Sequence, residues 1–417
     1  MREVINRIRA QGLRVVFQFA LRNLQMKRKL KRLLQQTAAQ KTAPVPGVTV
    51  AGQLTDSGSV NKALRDFVWA LKEAGIPYQT IDFGYKHNAH KDDYEGLLTD
   101  ESRTSLKKYT HFIEIWKTPV PDGIVPHRGR IWFWEYDSGV LEAFPGIATD
   151  SSEVIAMSDF NVEYFRKVLP AEKSVKKILY PFRIPNEENL ADPAETRRRF
   201  GYGKREFIVF FNFSFKTGYN RKNPKAAIRA FARAFQNVPE ARLLFKTQMA
   251  KMFPDAVREL RKLSVEIGVS DRFRIIDEYL PERDIYALTA ACDVYLSLHR
   301  GEGFGLGMAE AMSLGKPVVA TDYSASTEFV VPGCAVPVPC RMVSVESIGC
   351  DPAYYHGVRE WPEPDESAAA EAMVRLYREP KLRGEIGAAA RQFMREHFST
   401  EAFRRSVRTY LGLDEGV

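Results

Sequence analysis

From residue 48 onward, short apolar runs alternate with segments whose apolar residues return every three or four positions, the periods of strand and helix. VTVAG (48–52) reads as a strand, SVNKALRDFVWALKEAG (59–75) as a helix closed by Gly75, and IPYQTIDF (76–83) as the next strand. Strand, glycine turn, helix and strand in that order make a βαβ unit, with parallel strands and a right-handed crossover. THFIEIW (110–116) and RIWFWEY (130–136) supply further strands, and SDFNVEYFRKVL (158–169) a helix.

The alternation restarts near residue 206. EFIVFFNF (206–213) is a buried strand, NPKAAIRAFARAFQN (223–237) a helix and ARLLFKT (241–247) a strand. FRIIDEY (273–279), PERDIYALTAA (281–291), DVYLSL (293–298), a glycine-dense segment with a helix behind it, and PVVAT (317–321) continue the pattern. The expected fold is α/β, with two Rossmann-like, doubly wound domains facing a cleft and ligands outside the carboxyl ends of the strands. A chain of 417 residues is long enough for two cores. The expected boundaries are 1–46 for a tail and its linker, 47–180 and 181–390 for the two domains, and 391–417 for terminal helices returning to the first. Residues 334–367, marked by prolines, read as an irregular insertion.

Charge separates the tail from the rest. Residues 1–41 carry eleven Lys and Arg against one acid, Glu3, a net +10; with +9 for the whole chain, residues 42–417 balance at −1. Arg7, Gln11, Arg14, Gln18, Arg22, Gln25, Lys29 and Arg32 trace one polar stripe at helical spacing, with Val15, Phe19, Leu21 and Leu24 on other sides. The apolar run is interrupted at every turn, so it neither spans a bilayer nor forms the core of a signal peptide. A basic amphipathic helix of this kind suits a membrane surface, with KRKLKR (27–32) drawn to anionic headgroups; a helix docked on the protein's own surface, or a partner helix, is the alternative. Four cysteines, Cys292, Cys334, Cys340 and Cys350, lack CxxC spacing and point to a reducing compartment.

Candidate chemistry lies in LSLHRGEGFGLGMAEAMSLGKPVVAT (296–321), where Gly301, Gly303, Gly305 and Gly307 stand between strand and helix and Glu302 and Glu310 flank their densest part. A glycine turn there lets backbone N–H groups approach an anion at the positive end of a helix. Carboxylates on either side are acceptors suited to sugar hydroxyls. The spacing of the two acids alone carries nothing, because such a pair arises about once by chance in a chain this long. GxGxxG and GxxxxGK[ST] are both absent, which weighs against an oxidoreductase or an ATPase.

With these features in hand, EGFGLGMAEAMSLGKPVVATDYSASTEFV resembles the E-x7-E signature of retaining, nucleotide-sugar-dependent glycosyltransferases of the GT-B fold, family four or group one. RKNPKAAIRAFARAF (221–235), WPEPD (361–365), GRIWFWEYDSG (129–139) and GQLTDSGSVNKALR (52–65) resemble further segments of that family, so the likeness runs from about residue 48 to 412. The resemblance implies that Glu310 binds the donor ribose and Glu302 the transferred sugar, with the amides of Gly303, Phe304, Gly305 and Leu306 lining the diphosphate. It implies fixed cations rather than a metal at the leaving diphosphate, with Arg221 and Lys222 first and Lys246 third. NFSFKTGYN intervenes after the strand, bringing in Asn212, Ser214 and Lys216, so which cation meets which phosphate stays open. Glu278, Tyr279 and Leu280 are expected near the nucleobase and His299 near the donor. Gly52, Ser57 and Gly58 are expected in a loop of the first domain facing the donor, and His111 and Glu135 on the acceptor side.

The expected activity is retaining transfer of a hexose-type sugar to a glycan or lipid-linked saccharide, with no cofactor and no metal. Its partners are then a nucleotide sugar, that acceptor and a membrane surface, in a cytoplasmic protein peripheral to the membrane. A soluble small-molecule acceptor is the second reading. A membrane-surface or nucleic-acid-binding protein with a Rossmann-like body is the non-enzyme alternative, and confinement of positive charge to one helix argues against nucleic acid. Retention of both acids and of the cation cluster argues against a catalytically dead scaffold.

Overall fold

The computed structural model describes residues 13–413 apart from 85–88, 90, 103, 116, 184–187, 189 and 349–356, with side chains from residue 21 except Thr217. The expected stripe at Arg7 and Gln11, the side chains of Arg14 and Gln18, and Cys350 lie outside the described residues. Two compact units emerge. The first takes the chain up to Trp132, with Asp150–Ile155 and the chain from Val407; the second takes Phe133–Thr149 and Ala156–Ser406.

In the first unit, α1 (Leu13–Ala39) precedes β1 (Val45–Gly52), α2 (Ser59–Glu73), β2 (Tyr78–Asp82), β3 (Tyr109–Ile115) and β4 (His127–Trp132). β1 lies parallel between β2 and β3, and β3 pairs in parallel with β4. With β5 (Glu153–Ala156) the strands of this unit run in the order β2-β1-β3-β4-β5. The later half of α1 is bound to this unit. Leu33 is buried with Ala51, Ile81, Phe83, Leu106 and Phe112, and Met26, Leu30 and Leu34 pack against that cluster. Each fully buried leucine contributes roughly 1.5–3 kcal/mol. Lys29 donates to Glu101 at 2.9 Å and to the Asp82 carbonyl. Leu21, Leu24, Lys27, Arg28, Lys31 and Arg32 remain exposed. No helix among the described residues is long and apolar enough to cross a membrane.

The second unit carries a helical turn at Val140–Ala143, then α3 (Asp159–Val168), the short strand β6 (Val175–Lys177) and the second sheet. That sheet comprises β7 (Phe207–Ser214), β8 (Ala241–Gln248), β9 (Phe273–Asp277), β10 (Val294–Ser297), β11 (Val318–Thr321) and β12 (Val336–Val338). α4 (Pro224–Phe235) follows β7, α5 (Glu282–Ala291) precedes β10 and α6 (Leu306–Ser313) follows it. Strand order is β12-β11-β10-β7-β8-β9, and every pairing is parallel. From β7 the chain winds outward through β8 to β9; from β10 it winds the other way through β11 to β12. The reversal between β7 and β10 is a topological switch point, which leaves a crevice outside the carboxyl ends of those two strands. The segments after Ser214 and after Ser297 therefore meet there. α7 (Glu366–Arg378), α8 (Pro380–His397) and α9 (Thr400–Leu411) end the described chain.

Two expectations change. β4 stops at Trp132, short of the predicted Tyr136. Beyond it the Asn161 side chain takes the place of a strand partner: its Oδ1 accepts from the Trp134 amide at 3.3 Å and its Nδ2 donates to the Trp134 carbonyl at 2.7 Å. Residues 334–367 are not irregular throughout either. They supply β12 and an antiparallel ribbon of β13 (Cys340–Ser344) with β14 (Glu360–Pro364). Prolines are tolerated there because edge strands leave half their backbone groups unpaired. Strands as short as β5 and β6 give no readable alternation, and the sequence did not reveal them.

Candidate functional site

The glycine segment leaves β10 and turns into α6. Its small residues let another part of the same unit come close: a Cβ on Gly301 would stand 2.6 Å from the Glu135 carbonyl oxygen, and one on Gly303 would stand 2.8 Å from Phe133 Cβ. Gly305 precedes α6 with φ 97°, a left-handed conformation that costs glycine little. The Glu302 amide donates to Ser324 Oγ at 2.8 Å, so the loop after β11 holds this residue in place. The Phe304 ring stacks on Tyr180 at 3.9 Å between centroids and is buried. Only its backbone is left to face a ligand.

Opposite this segment, after β7, a single helical turn Tyr219–Lys222 carries both predicted cations. Lys222 Nζ donates to Glu302 Oε1, and Arg221 Nη1 lies 3.5 Å from Glu302 Oε2. Arg221 also donates to the Gly301 carbonyl at 2.6 Å and stands 3.6 Å from Glu135. Four residues singled out in the sequence thus share one buried network at the switch point. Burial alone would raise the Glu302 carboxyl, but Lys222 and then Arg221 outweigh it and hold the pKa at about 2. For Arg221, burial works against the charged form, and Glu135 and Glu302 overcome it and raise the pKa. Glu310 is buried in the middle of α6. Burial, then Glu310 and Glu302, pushes the Tyr295 phenol well above its ordinary value, so both acids act on one point beneath the segment.

Of the other predicted residues, His299 adjoins this network through the charges of Glu302 and Lys222. His299 is fully buried; its ring nitrogens stand 3.2 Å from Ser297 Oγ and 3.4 Å from the Tyr323 carbonyl. Burial lowers its pKa to about 4, so it is a neutral support under the loop. Lys246 is buried on β8 and donates to the Thr247 carbonyl at 2.9 Å; burial takes its pKa down to about 8, with Asp277 and Glu278 opposing. Asn212 and Ser214 end β7 half-buried, Tyr279 is exposed and Leu280 buried just after β9. In the first unit, Gly52 ends β1, and Ser57 and Gly58 precede α2. His111 stands near the start of β3, at the opposite end of that sheet, with its ring 4.7 Å from that of His127.

Arg300, Ser324 and Glu363 touch the same network and escaped the sequence reading. Arg300 stood in plain view beside Gly301. Nothing in the order of residues, however, pairs it with an acid 63 positions away.

Residues 207–379 match the family model described as Glycosyl transferases group 1. A 75-residue stretch is 40% identical to the lipopolysaccharide core biosynthesis mannosyltransferase LpsB of Rhizobium meliloti (strain 1021), over 18% of this chain and 20% of that protein. Another of 100 residues is 35% identical to the D-inositol 3-phosphate glycosyltransferase of Corynebacterium efficiens, over 24% of this chain and 23% of that one. The matches thus span about a fifth of the length of these curated relatives. In fold, the chain is similar to Anabaena HepE, solved with UDP and glucose, with a TM-score of 0.60 at 17% identity over 88% of this chain and 100% of that one. Residues 207–379 are thus similar to the glycosyl transferases group 1, and with its two Rossmann-like sheets the chain has the GT-B fold.

Proposed function

We propose that this protein is a retaining glycosyltransferase that moves a sugar from a nucleoside-diphosphate donor to a glycan or lipid-linked saccharide. One observation carries the reading: at the switch point of the second sheet, the buried Arg221 and the half-buried Lys222 converge on Glu302 beside a glycine turn that opens α6. Without donor, Glu302 neutralises Lys222 and Arg221. A bound pyrophosphate would take over that role, releasing the Glu302 carboxylate toward the hydroxyls of the transferred sugar. Glu310 is assigned to the ribose, and the amides of Gly303, Phe304, Gly305 and Leu306 to the diphosphate.

Leaving-group charge is then met by Arg221 and Lys222 with no metal or cofactor in the assignment. The acceptor hydroxyl loses its proton toward the departing phosphate. Tyr279, Leu280, Asn212, Ser214, Lys246 and His299 remain proposed donor contacts or their supports. Gly52, Ser57, Gly58 and His111 remain proposals for the first unit, and Glu135 for the acceptor side. Retention of activity in a strong chelator supports the metal-free assignment, and its loss removes it.

An acceptor of the saccharide class is supported by the LpsB relative, whose name places it in lipopolysaccharide core biosynthesis. The inositol phosphate relative favours the second reading, a soluble small acceptor. Thermal shift with UDP, GDP, ADP, dTDP and their common sugars tests the donor half. Stabilisation by one pair is expected; stabilisation by none, with no nucleotide release in any mixture, would end the proposal.

Peripheral binding at a cytoplasmic membrane face is assigned to the exposed Lys27, Arg28 and Lys31 with Leu21 and Leu24. Because Leu33 is part of the core, the test neutralises the three cations instead of deleting α1. The triple glutamine variant should float less with phosphatidylglycerol vesicles, and equal flotation would remove the membrane role.

A further inference from the structure

The turn that holds Arg221 and Lys222 is four residues long, Tyr219–Lys222, and a helix this short cannot satisfy its last carbonyls from within. It is bracketed by two left-handed residues, Gly218 at φ 93° and the buried Asn223 at φ 52°. Such a segment needs an outside hold, and one residue supplies it. The Arg300 amide donates to the Arg221 carbonyl at 2.7 Å, and Arg300 Nη1 donates to the Asn220 carbonyl at 2.8 Å. Arg221 answers with its own bond to the Gly301 carbonyl, so the turn and the glycine segment clasp each other.

Arg300 is itself buried, and a buried guanidinium needs a counter-charge. Glu363, on β14, accepts from Arg300 Nε at 2.6 Å, and the guanidinium lies 5.3 Å from the centre of the buried Trp361 ring. Neither Arg300 nor Glu363 stands among the residues assigned above to donor or acceptor. We infer that Glu363, acting through Arg300, is a positioning residue: the β13–β14 ribbon sets where Lys222 and Arg221 stand and thereby tunes the affinity of the site for a nucleoside diphosphate. This rests on the transferase reading of the site.

The test is a double-mutant cycle, read by calorimetric titration of UDP and GDP into the full chain. Wild type, Glu363→Gln, Lys222→Ala and the double variant are compared. For whichever nucleotide wild type binds, Glu363→Gln should weaken affinity about tenfold, yet change it less than about twofold once Lys222 is gone, because coupled residues are not additive. Arg300→Lys, which keeps the charge but cannot make the forked contacts, should behave like Glu363→Gln. If Glu363→Gln fails to fold, Arg300→Lys carries the same cycle. Equal losses with and without Lys222, or a fall in melting temperature with unchanged affinity, would overturn the positioning role alone. Wild type binding neither nucleotide would overturn the reading of the site and this role with it.

Discussion

Each unit contains a buried cluster of charges, and the two are built differently. In the first unit, Arg130 donates to Glu114 at 2.8 and 2.6 Å and to Asp150, and the second Glu114 oxygen accepts from the Thr118 amide and hydroxyl. Arg128 beside it is bound to Asp122 and to the carbonyls of Val120 and Pro121. The carboxylate and the guanidinium of that pair are 0% and 2% exposed, so water does not reach them. In the second unit, Lys222, Glu302 and Glu135 keep 14%, 11% and 27% of their side chains exposed. They stand on a helical turn and on loops beyond strand ends instead of on strands. Both clusters have perfectly good partners; the second is the more exposed and stands at the carboxyl ends of its strands. A buried ion pair alone therefore says little about function, and its place on the sheet says much.

Removing one partner should separate the clusters most sharply in the first unit. Glu114→Ala leaves the buried Arg130 with Asp150 as its remaining acid and should cost about 3–5 kcal/mol of stability, seen as a lower urea midpoint, with nucleotide affinity of the folded fraction unchanged. An unaltered midpoint would break the contrast. Next comes chemistry in the second unit. Glu302→Gln keeps the shape of the side chain and should slow transfer by about 10²–10³, a barrier of about 2.7–4 kcal/mol. Wild-type rates in this variant would take Glu302 out of the reaction. Smaller again, Lys222→Ala should weaken nucleoside diphosphate binding by about 1.5–3 kcal/mol in calorimetry, and unchanged binding would pass the phosphate role to Arg221.

A further effect is on acid stability, and it falls in different windows for the two units. Burial and then His127 lower the His111 pKa from 6.5 to about 4, with Glu153 opposing. The folded state therefore binds fewer protons than the unfolded one, so this contribution is complete above pH 6.5 and is lost as pH falls through 4. The Glu302 contribution is complete above pH 4.5 and is lost only as pH falls through about 2. Melting curves across pH should lose the upper step in His111→Asn and the lower one in Glu302→Gln. Steps that survive their own substitution would assign them to other groups.

How far the chain could be read depended on how local each feature is. Alternation of apolar runs located the strands from β1 to β4 and from β7 to β11, because burial against a sheet imposes that pattern on neighbouring residues. It missed β5 and β6, which are too short to show a period, and it took the proline-marked β13–β14 ribbon for a loop. The glycines at 301 and 303 were visible, but their close neighbours Glu135 and Phe133 were not. Lys29 was grouped with an exposed basic run, and folding turned it onto Glu101.

By itself, the sequence determined two α/β halves and a glycine turn between strand and helix with Glu302 and Glu310 beside it. These follow from periodicity and from backbone chemistry within a few residues. Tertiary structure alone decided that the turn after β7 reaches Glu302, that Arg300 and Glu363 hold that turn, and that α1 gives up one face to a core. Contacts between residues 63 or 80 positions apart depend on how strands are ordered in the sheet, and no local pattern of side chains encodes that order.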